Sequence, residues 1–147
     1  MLIRVAVISD THDRLPGQVT QAIAAADEIW HLGDVCRPSV IEVLKALTPE
    51  VRVVRGNCDE GSTWPLTLDF QLLGHRFHLE HIPSRGAPAG CDLFLHGHTH
   101  VPRDEIIGDV RFLNPGCITR PNRGAPASYA WLEIQARRPI EWRLVRI

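Results

Sequence analysis

The sequence predicts an α/β protein, a four-layer α/β/β/α sandwich of two packed mixed sheets flanked by helices. Up to Asn57, short apolar runs alternate with helical patterns, and a polar residue closes each run. Beyond that point only strand-like runs appear, separated by turns rich in glycine and proline. With 147 residues, 44% of them hydrophobic and 22% charged, the chain can bury one continuous core. Both halves are therefore expected in a single domain, residues 1–147.

Residues 3–8 (IRVAVI) read as a buried strand that runs into Ser9-Asp10-Thr11-His12. Over 18–29, Val19, Ile23 and Ala26 recur at helical spacing, behind Pro16 and Gly17. Residues 28–32 form a short strand closed by Gly33-Asp34. Residues 38–47 form a second helix: Val40, Val43, Leu44 and Leu47 share a face, Pro38 sits near the first turn, and Pro49 stops it. Residues 51–54 are a third strand, closed by Gly56-Asn57. Asp10, Asp34 and Asn57 thus fall beyond the carboxyl ends of successive strands, where ligands bind in such sheets. Downstream, residues 66–72, 76–81, 92–95, 110–113, 128–134 and 140–145 read as strands. Pro83, Gly86, Pro88 and Gly90 make 83–90 a loop.

Composition narrows the function. No run approaches the ~20 apolar residues of a membrane helix, and MLIRVAVISD is too short and too quickly acidic for a signal peptide. The expected location is the cytoplasm, with no membrane partner. Net charge is −1 with scattered basic residues, so a nucleic-acid partner is not indicated. Cys36, Cys58, Cys91 and Cys117 form no C-x-x-C pair and are expected as reduced thiols.

The chemistry lies in the strand ends. On an extended segment Asp10 and His12 would point to one side and could grip one cation; alone, such a D-x-H pattern is common in loops. Asp34 after Gly33 could bridge two cations, and in isolation would equally read as an Asx turn. Asn57 after Gly56 offers a neutral amide oxygen, which suits a site already rich in negative charge, although G-N is also turn chemistry. His96-Gly97-His98-Thr99-His100 carries the strongest signal: three histidines in five residues have no good structural rationale, and neutral imidazoles are common ligands of zinc-like and manganese-like ions. His98 and His100 can enter one site, while the role of His96 stays open. His31 and His75 have no partner spacing, and His78 is expected to face solvent or core.

In combination, ISDTHD, HLGDVC, VRGNCD, His81, LFLHGHTH and FLNPGCITRPNR resemble the calcineurin-like metallophosphoesterase superfamily. The closer likeness is to its small single-domain phosphodiesterases of bacteria and archaea. The resemblance implies that Asp10, His12 and His100 bind one metal, that Asn57, His81 and His98 bind a second, and that Asp34 bridges them. The implied cofactor is two divalent ions, Mn2+ first, with Ni2+, Zn2+, Fe or Co2+ as alternatives. The implied activity is hydrolysis of a small-molecule phosphoester, above all a diester, by a water activated between the cations. Asp34, Asn57, His98 and Cys58 are the expected catalytic residues; a homo-oligomer is left open.

Several positions depart from the family pattern. Asp13 stands where glycine is frequent, and Cys117 replaces the serine of N-P-G-S. Cys58 takes the place of a histidine that assists phosphate binding or leaving-group protonation in many relatives. A thiol is a weak donor, so poor leaving-group assistance is expected. Where relatives often insert a helix after His81, this chain has only IPSRGAPAGC. The alternative reading is a metal-binding protein-interaction scaffold of the same fold without turnover; the presence of all seven ligands argues against it.

Overall fold

The computed structural model describes residues 1–83 and 86–147; Ser84 and Arg85, part of the expected 83–90 loop, lie outside the described residues. The elements follow in the order β1 (Leu2–Ile8), α1 (Gly17–Ile23), β2 (Glu28–His31), α2 (Ser39–Leu47), β3 (Val51–Val53), β4 (Thr67–Leu72), β5 (His75–Glu80), β6 (Leu93–Leu95), β7 (Arg103–Ile107), β8 (Val110–Asn114), β9 (Ser128–Gln135) and β10 (Glu141–Arg146). They build two five-stranded sheets, β10-β9-β1-β2-β3 and β4-β5-β6-β8-β7. Both are mixed. β1, β2 and β3 run parallel with β9 antiparallel to β1. In the second sheet β5, β6 and β8 run parallel, and β4 and β7 are antiparallel edges.

Alternation along β1 sorts the core into two layers. Ala6 and Ile8 meet Val19 and Ile23 of α1 and Val40, Ile41 and Leu44 of α2. Val5 and Val7 face the other way and pack with Phe77, Leu79, Leu93, Leu95 and Leu113 of the second sheet. Being covered on both sides, β1 has to be an unbroken apolar run. Leu95 is fully buried between the sheets; its truncation to alanine would cost about 2–5 kcal/mol.

The two packed mixed sheets match the expectation, but the helices lie on one side only. The cluster that buries α1 and α2 contains strand residues of the first sheet alone. Among the described residues the layers are therefore α/β/β. Side chains cover the outer face of the second sheet instead: Phe94 packs against His78, His96 and Phe112, and the Arg103 guanidinium lies 4.6 Å over the Phe112 ring. Among the described residues no helix follows His81.

Two local expectations need correction. The first helix stops at Ile23 rather than Ile29. Ala26 N–H donates to Ile23 O (3.0 Å), Asp27 N–H to Arg4 O (2.8 Å), and Arg4 N–H to the Asp27 carboxylate (2.8 Å), which fastens the chain to β1 before helical periodicity runs out. Strand β7 carries no strand signal in the sequence. It is a mostly exposed edge with no apolar alternation, made by its ladder to β8 and by the Arg111–Asp104 pair at 2.8 Å. No described helix is long and apolar enough to cross a membrane.

Candidate metal centre

The parallel order β1-β2-β3 sets three strand ends side by side, and β5 and β6 of the second sheet end opposite them. All seven expected ligands occur in the loops that follow. The loops are tied backbone to backbone: Asp10 N–H donates to Gly33 O (3.0 Å), His12 N–H to Asp34 O (2.9 Å), and Gly97 N–H to His81 O (3.1 Å). The Asp10 carboxylate reaches across the sheets, accepting the Ser9 hydroxyl (2.6 Å) and the His98 amide (3.2 Å) on Oδ2.

Side chains gather in two groups. His100 Nε2 lies 3.2 Å from Asp10 Oδ1, and the His12 ring centroid is 5.5 Å from that of His100. His98 Nδ1 lies 3.2 Å from Asn57 Oδ1, and the His98 ring is 5.2 Å from that of His81. Between them, His81 Nε2 is 3.4 Å from Asp34 Oδ2 and 3.7 Å from Asp10 Oδ1. The route to this convergence is not the extended one expected. Asp10 (φ 56°), His12 (φ 51°), Asp34 (φ 56°), His98 (φ 73°) and His100 (φ 60°) all adopt left-handed backbone. Such conformations are costly for non-glycine residues and collect at functional sites.

Two glycines permit the close approach. Gly33 has φ +101°, and a Cβ there would stand 2.7 Å from His81 Nδ1. A Cβ on Gly97 would stand 2.8 Å from Asp10 Oδ2 and collide with Ser9 Oγ. The imidazoles are aimed by backbone carbonyls, His81 Nδ1–H onto Leu32 O (2.7 Å) and His100 Nδ1–H onto Arg120 O (2.5 Å). Each Nε2 is thereby free to face inward, the usual support for a metal-ligating histidine.

The donor set fits a divalent cation. Of four buried side-chain polar atoms without a hydrogen-bond partner among the described residues, three are Asp10 Oδ1, His12 Nε2 and His81 Nε2; the fourth is Ser62 Oγ, which is not one of the expected ligands. Such orphans cost about 1–3 kcal/mol each, more when charged, unless something else satisfies them. Asp10, Asp34 and His81 place donor atoms within 4.8 Å of one another. Burial opposes ionisation of Asp34. The His81 ring beside it (3.4 Å), the Cys58 amide and nearby imidazole charge outweigh it and bring the carboxyl down to about 2. Burial likewise opposes protonation of His81, but Asp34 and Asp10 outweigh it and raise its pKa. For His12 burial wins, and its pKa is lowered.

The cysteines correct the sequence reading. Cys36 and Cys58 form a disulfide with Cα atoms 5.5 Å apart, while Cys91 and Cys117 are free and buried. Cys36 follows β2 and Cys58 follows β3; their adjacency comes from strand pairing, which the sequence separation of 22 conceals. Cys58 therefore carries no thiol proton, although its amide donates to Asp34 Oδ1 (2.9 Å).

Other residues brace the site from behind the ligands. His31 is fully buried; its Nδ1 accepts Gly33 N–H (3.1 Å) and its Nε2–H donates to Thr11 Oγ1 (2.9 Å), bracing two ligand loops. Cys117 Sγ–H donates to Asp10 O (3.2 Å). Neither has a spacing signal. His96 is turned away to Arg103 (3.1 Å), and His78 pairs with Asp69 (2.7 Å) on the outer face of the second sheet.

The calcineurin-like phosphoesterase superfamily domain matches residues 3–137, and the chain belongs to that superfamily. It is 29% identical to phosphodiesterase YfcE of Escherichia coli, over 90% of this chain and 88% of that protein. The solved structure of YfcE, described as a phosphoesterase, superposes with a TM-score of 0.75 at 26% identity, covering 99% of this chain and all of the other. A probable metallophosphoesterase of Methanothermobacter thermautotrophicus is 33% identical over 84% of this chain and 81% of that protein. Vacuolar Protein Sorting 29 from Cryptosporidium parvum shares the fold, with a TM-score of 0.79 at 21% identity over 99% of this chain and 98% of that one.

Proposed function

We propose that the protein is a metal-dependent phosphodiesterase, a single domain spanning residues 1–147 that acts on small-molecule esters in the cytoplasm. The observation that carries this reading is the cluster of buried, unpartnered donors Asp10 Oδ1, His12 Nε2 and His81 Nε2 in a chain of a phosphoesterase superfamily. Asp10, His12 and His100 would hold one divalent ion, Asn57, His81 and His98 another, with Asp34 shared; Mn2+ is the first choice. Bound ions would supply Lewis acidity to the phosphoryl oxygens and lower the pKa of an attacking water.

The protein's own groups do the rest. Asp34 Oδ1 accepts the Cys58 amide (2.9 Å), which favours the ionised carboxylate. His81 keeps its proton on Nδ1, against Leu32 O, and offers Nε2 inward. His98 and Asn57 are solvent-exposed and would meet the substrate phosphate at the mouth of the site. Cys58, in its disulfide, has no proton to give, so the leaving oxygen departs on its own basicity.

Two clefts open through different ligands, which suits an ester with two organic arms. One of about 610 Å³ is lined by Asn57 and His81 with Leu66, Ile82 and Pro88. The other, of about 490 Å³, is lined by His98 with Arg103 and Arg123. The test is a matrix of Mn2+, Ni2+, Zn2+, Mg2+ and Co2+ against phosphate mono- and diesters on purified protein. Metal-dependent diester cleavage is expected. Metal binding without hydrolysis of any ester would favour the scaffold reading, to which the Vacuolar Protein Sorting 29 fold is the structural precedent.

A further inference from the structure

The Cys36–Cys58 disulfide has no part in the proposed hydrolysis, yet it stands at the rim of the metal centre. Cys36 comes two residues after Asp34, and Cys58 directly follows Asn57. Cys36 Sγ lies 3.5 Å from Nδ1 of His12, the ring nitrogen that faces away from the buried, unpartnered Nε2. A ring nitrogen of His12 and the two sulfurs lie within 4.8 Å of one another.

The two loops do not depend on the disulfide for their approach. The Asp59 carboxylate accepts the amides of Val35 (3.2 Å), Cys36 (2.7 Å) and Gly56 (2.8 Å), and the Cys58 amide donates to Asp34 (2.9 Å). Opening the S–S bond would leave the backbone of both cysteines where it is. Cys58 is exposed, so a reductant can reach it.

The spacing matches a soft-metal site. Zn–S bonds of about 2.3 Å and Zn–N bonds of about 2.0–2.1 Å at tetrahedral angles put nitrogen and sulfur about 3.5 Å apart and two sulfurs about 3.8 Å apart. The first separation is already present. The second is reached when the sulfurs relax to van der Waals contact. Imidazole with two thiolates selects a thiophilic ion.

We propose that reduction of Cys36–Cys58 by a dithiol converts it, together with His12 Nδ1, into a three-ligand site for a thiophilic divalent cation such as Zn2+, with water in the fourth position. The dithiol gives two electrons and two protons and leaves as its own disulfide. Binding of the cation releases the two thiol protons to solvent. His12 then gives its lone pair at Nδ1 and keeps its proton on Nε2. A neutral imidazole has one lone pair, so this site competes for His12 with the first cation position, a clause that rests on the proposed phosphodiesterase centre. The thiolate site itself does not.

The experiment adds Co2+ to the full chain in oxidised form, after reduction with dithiothreitol and its removal, and to reduced Cys36→Ser and Cys58→Ser variants. Sulfur-to-cobalt charge-transfer absorption is expected at full intensity in the reduced wild type alone, to be absent from the oxidised protein, and to be at most about half as strong in either reduced serine variant. Chelator competition should show Zn2+ held roughly tenfold or more tightly by the reduced than by the oxidised protein. No such band in the reduced wild type overturns the proposal. So does a band of undiminished intensity in both reduced serine variants, because neither site cysteine would then be its source and it would belong to Cys117, whose sulfur lies within reach of His12 and His100. If a serine variant fails to fold, alkylation of exposed Cys58 in the reduced wild type must abolish the band. Hydrolysis by oxidised, Mn2+-loaded protein is scored separately, so failure of the enzyme reading leaves the spectral result standing.

Discussion

His81 Nε2 lies 3.4 Å from Asp34 Oδ2 while the opposite ring nitrogen is held by Leu32 O at 2.7 Å. His81 follows β5 of the second sheet, and Asp34 follows β2 of the first. The contact is thus both the middle of the candidate metal centre and a bolt between the two sheets.

Asp34→Asn should abolish phosphoesterase activity and lower metal content while leaving far-UV circular dichroism unchanged. An amide keeps the shape of the side chain but not the charge that His81, the Cys58 amide and the proposed ions all use. Wild-type turnover with full metal content would refute the bridging role.

Gly33→Ala should strike His81. The new Cβ would stand 2.7 Å from Nδ1 on a backbone at φ +101°, adding about 1–3 kcal/mol of strain. The ring must turn off its Leu32 carbonyl, and loss of such support typically weakens metal binding 10–100-fold. Chelator competition measures it; an unchanged affinity would mean that the carbonyl does not aim the ligand.

Acid should destabilise the metal-free protein before its carboxylates titrate. Burial holds His31 down to about 3 and His96 to about 4, both below the 6.5 of an unfolded chain. The unfolded state therefore binds more protons below pH 6.5, and stability is lost as pH falls from there to about 4 for His96 and about 3 for His31. Each such histidine contributes at most about 1.4 kcal/mol per pH unit. Asp34 enters only lower, between its usual 3.8 and about 2. Urea midpoints at stepped pH, compared between wild type and His31→Gln, should show a shallower acid slope in the variant. Parallel slopes would remove His31 from the account.

Rates should fall steeply as the leaving group becomes more basic, because Cys58 carries no proton. Cys58→His should flatten that dependence and improve monoester cleavage, since general acid help is worth roughly 10²–10⁴-fold. Matched mono- and diesters with leaving groups of graded pKa provide the measurement. Identical slopes in both proteins would show that position 58 plays no part in leaving-group chemistry.

Much of this was legible in one dimension because the relevant signals are local. The apolar runs of β1 and β2, each closed by a ligand-bearing loop, announce buried parallel strands. His98 and His100 around Gly97 announce a site. Edge strand β7 was illegible because its residues owe their conformation to the ladder with β8 rather than to their own pattern. Asp10-x-His12 is not extended because its amides donate to Gly33 O and Asp34 O, which holds both residues in left-handed turns.

The sequence by itself determined the α/β class, the succession of most strands along the chain and the kinds of donor atom carried at their ends, since these follow from periodicity and residue chemistry within short windows. Only the tertiary structure decided that Cys36 meets Cys58, that His31 braces Gly33 and Thr11, and that His96 turns away to Arg103 while His98 turns in to Asn57. These are contacts between strand ends far apart along the chain. They depend on which strands pair and which way each loop turns, and no spacing along the chain encodes that.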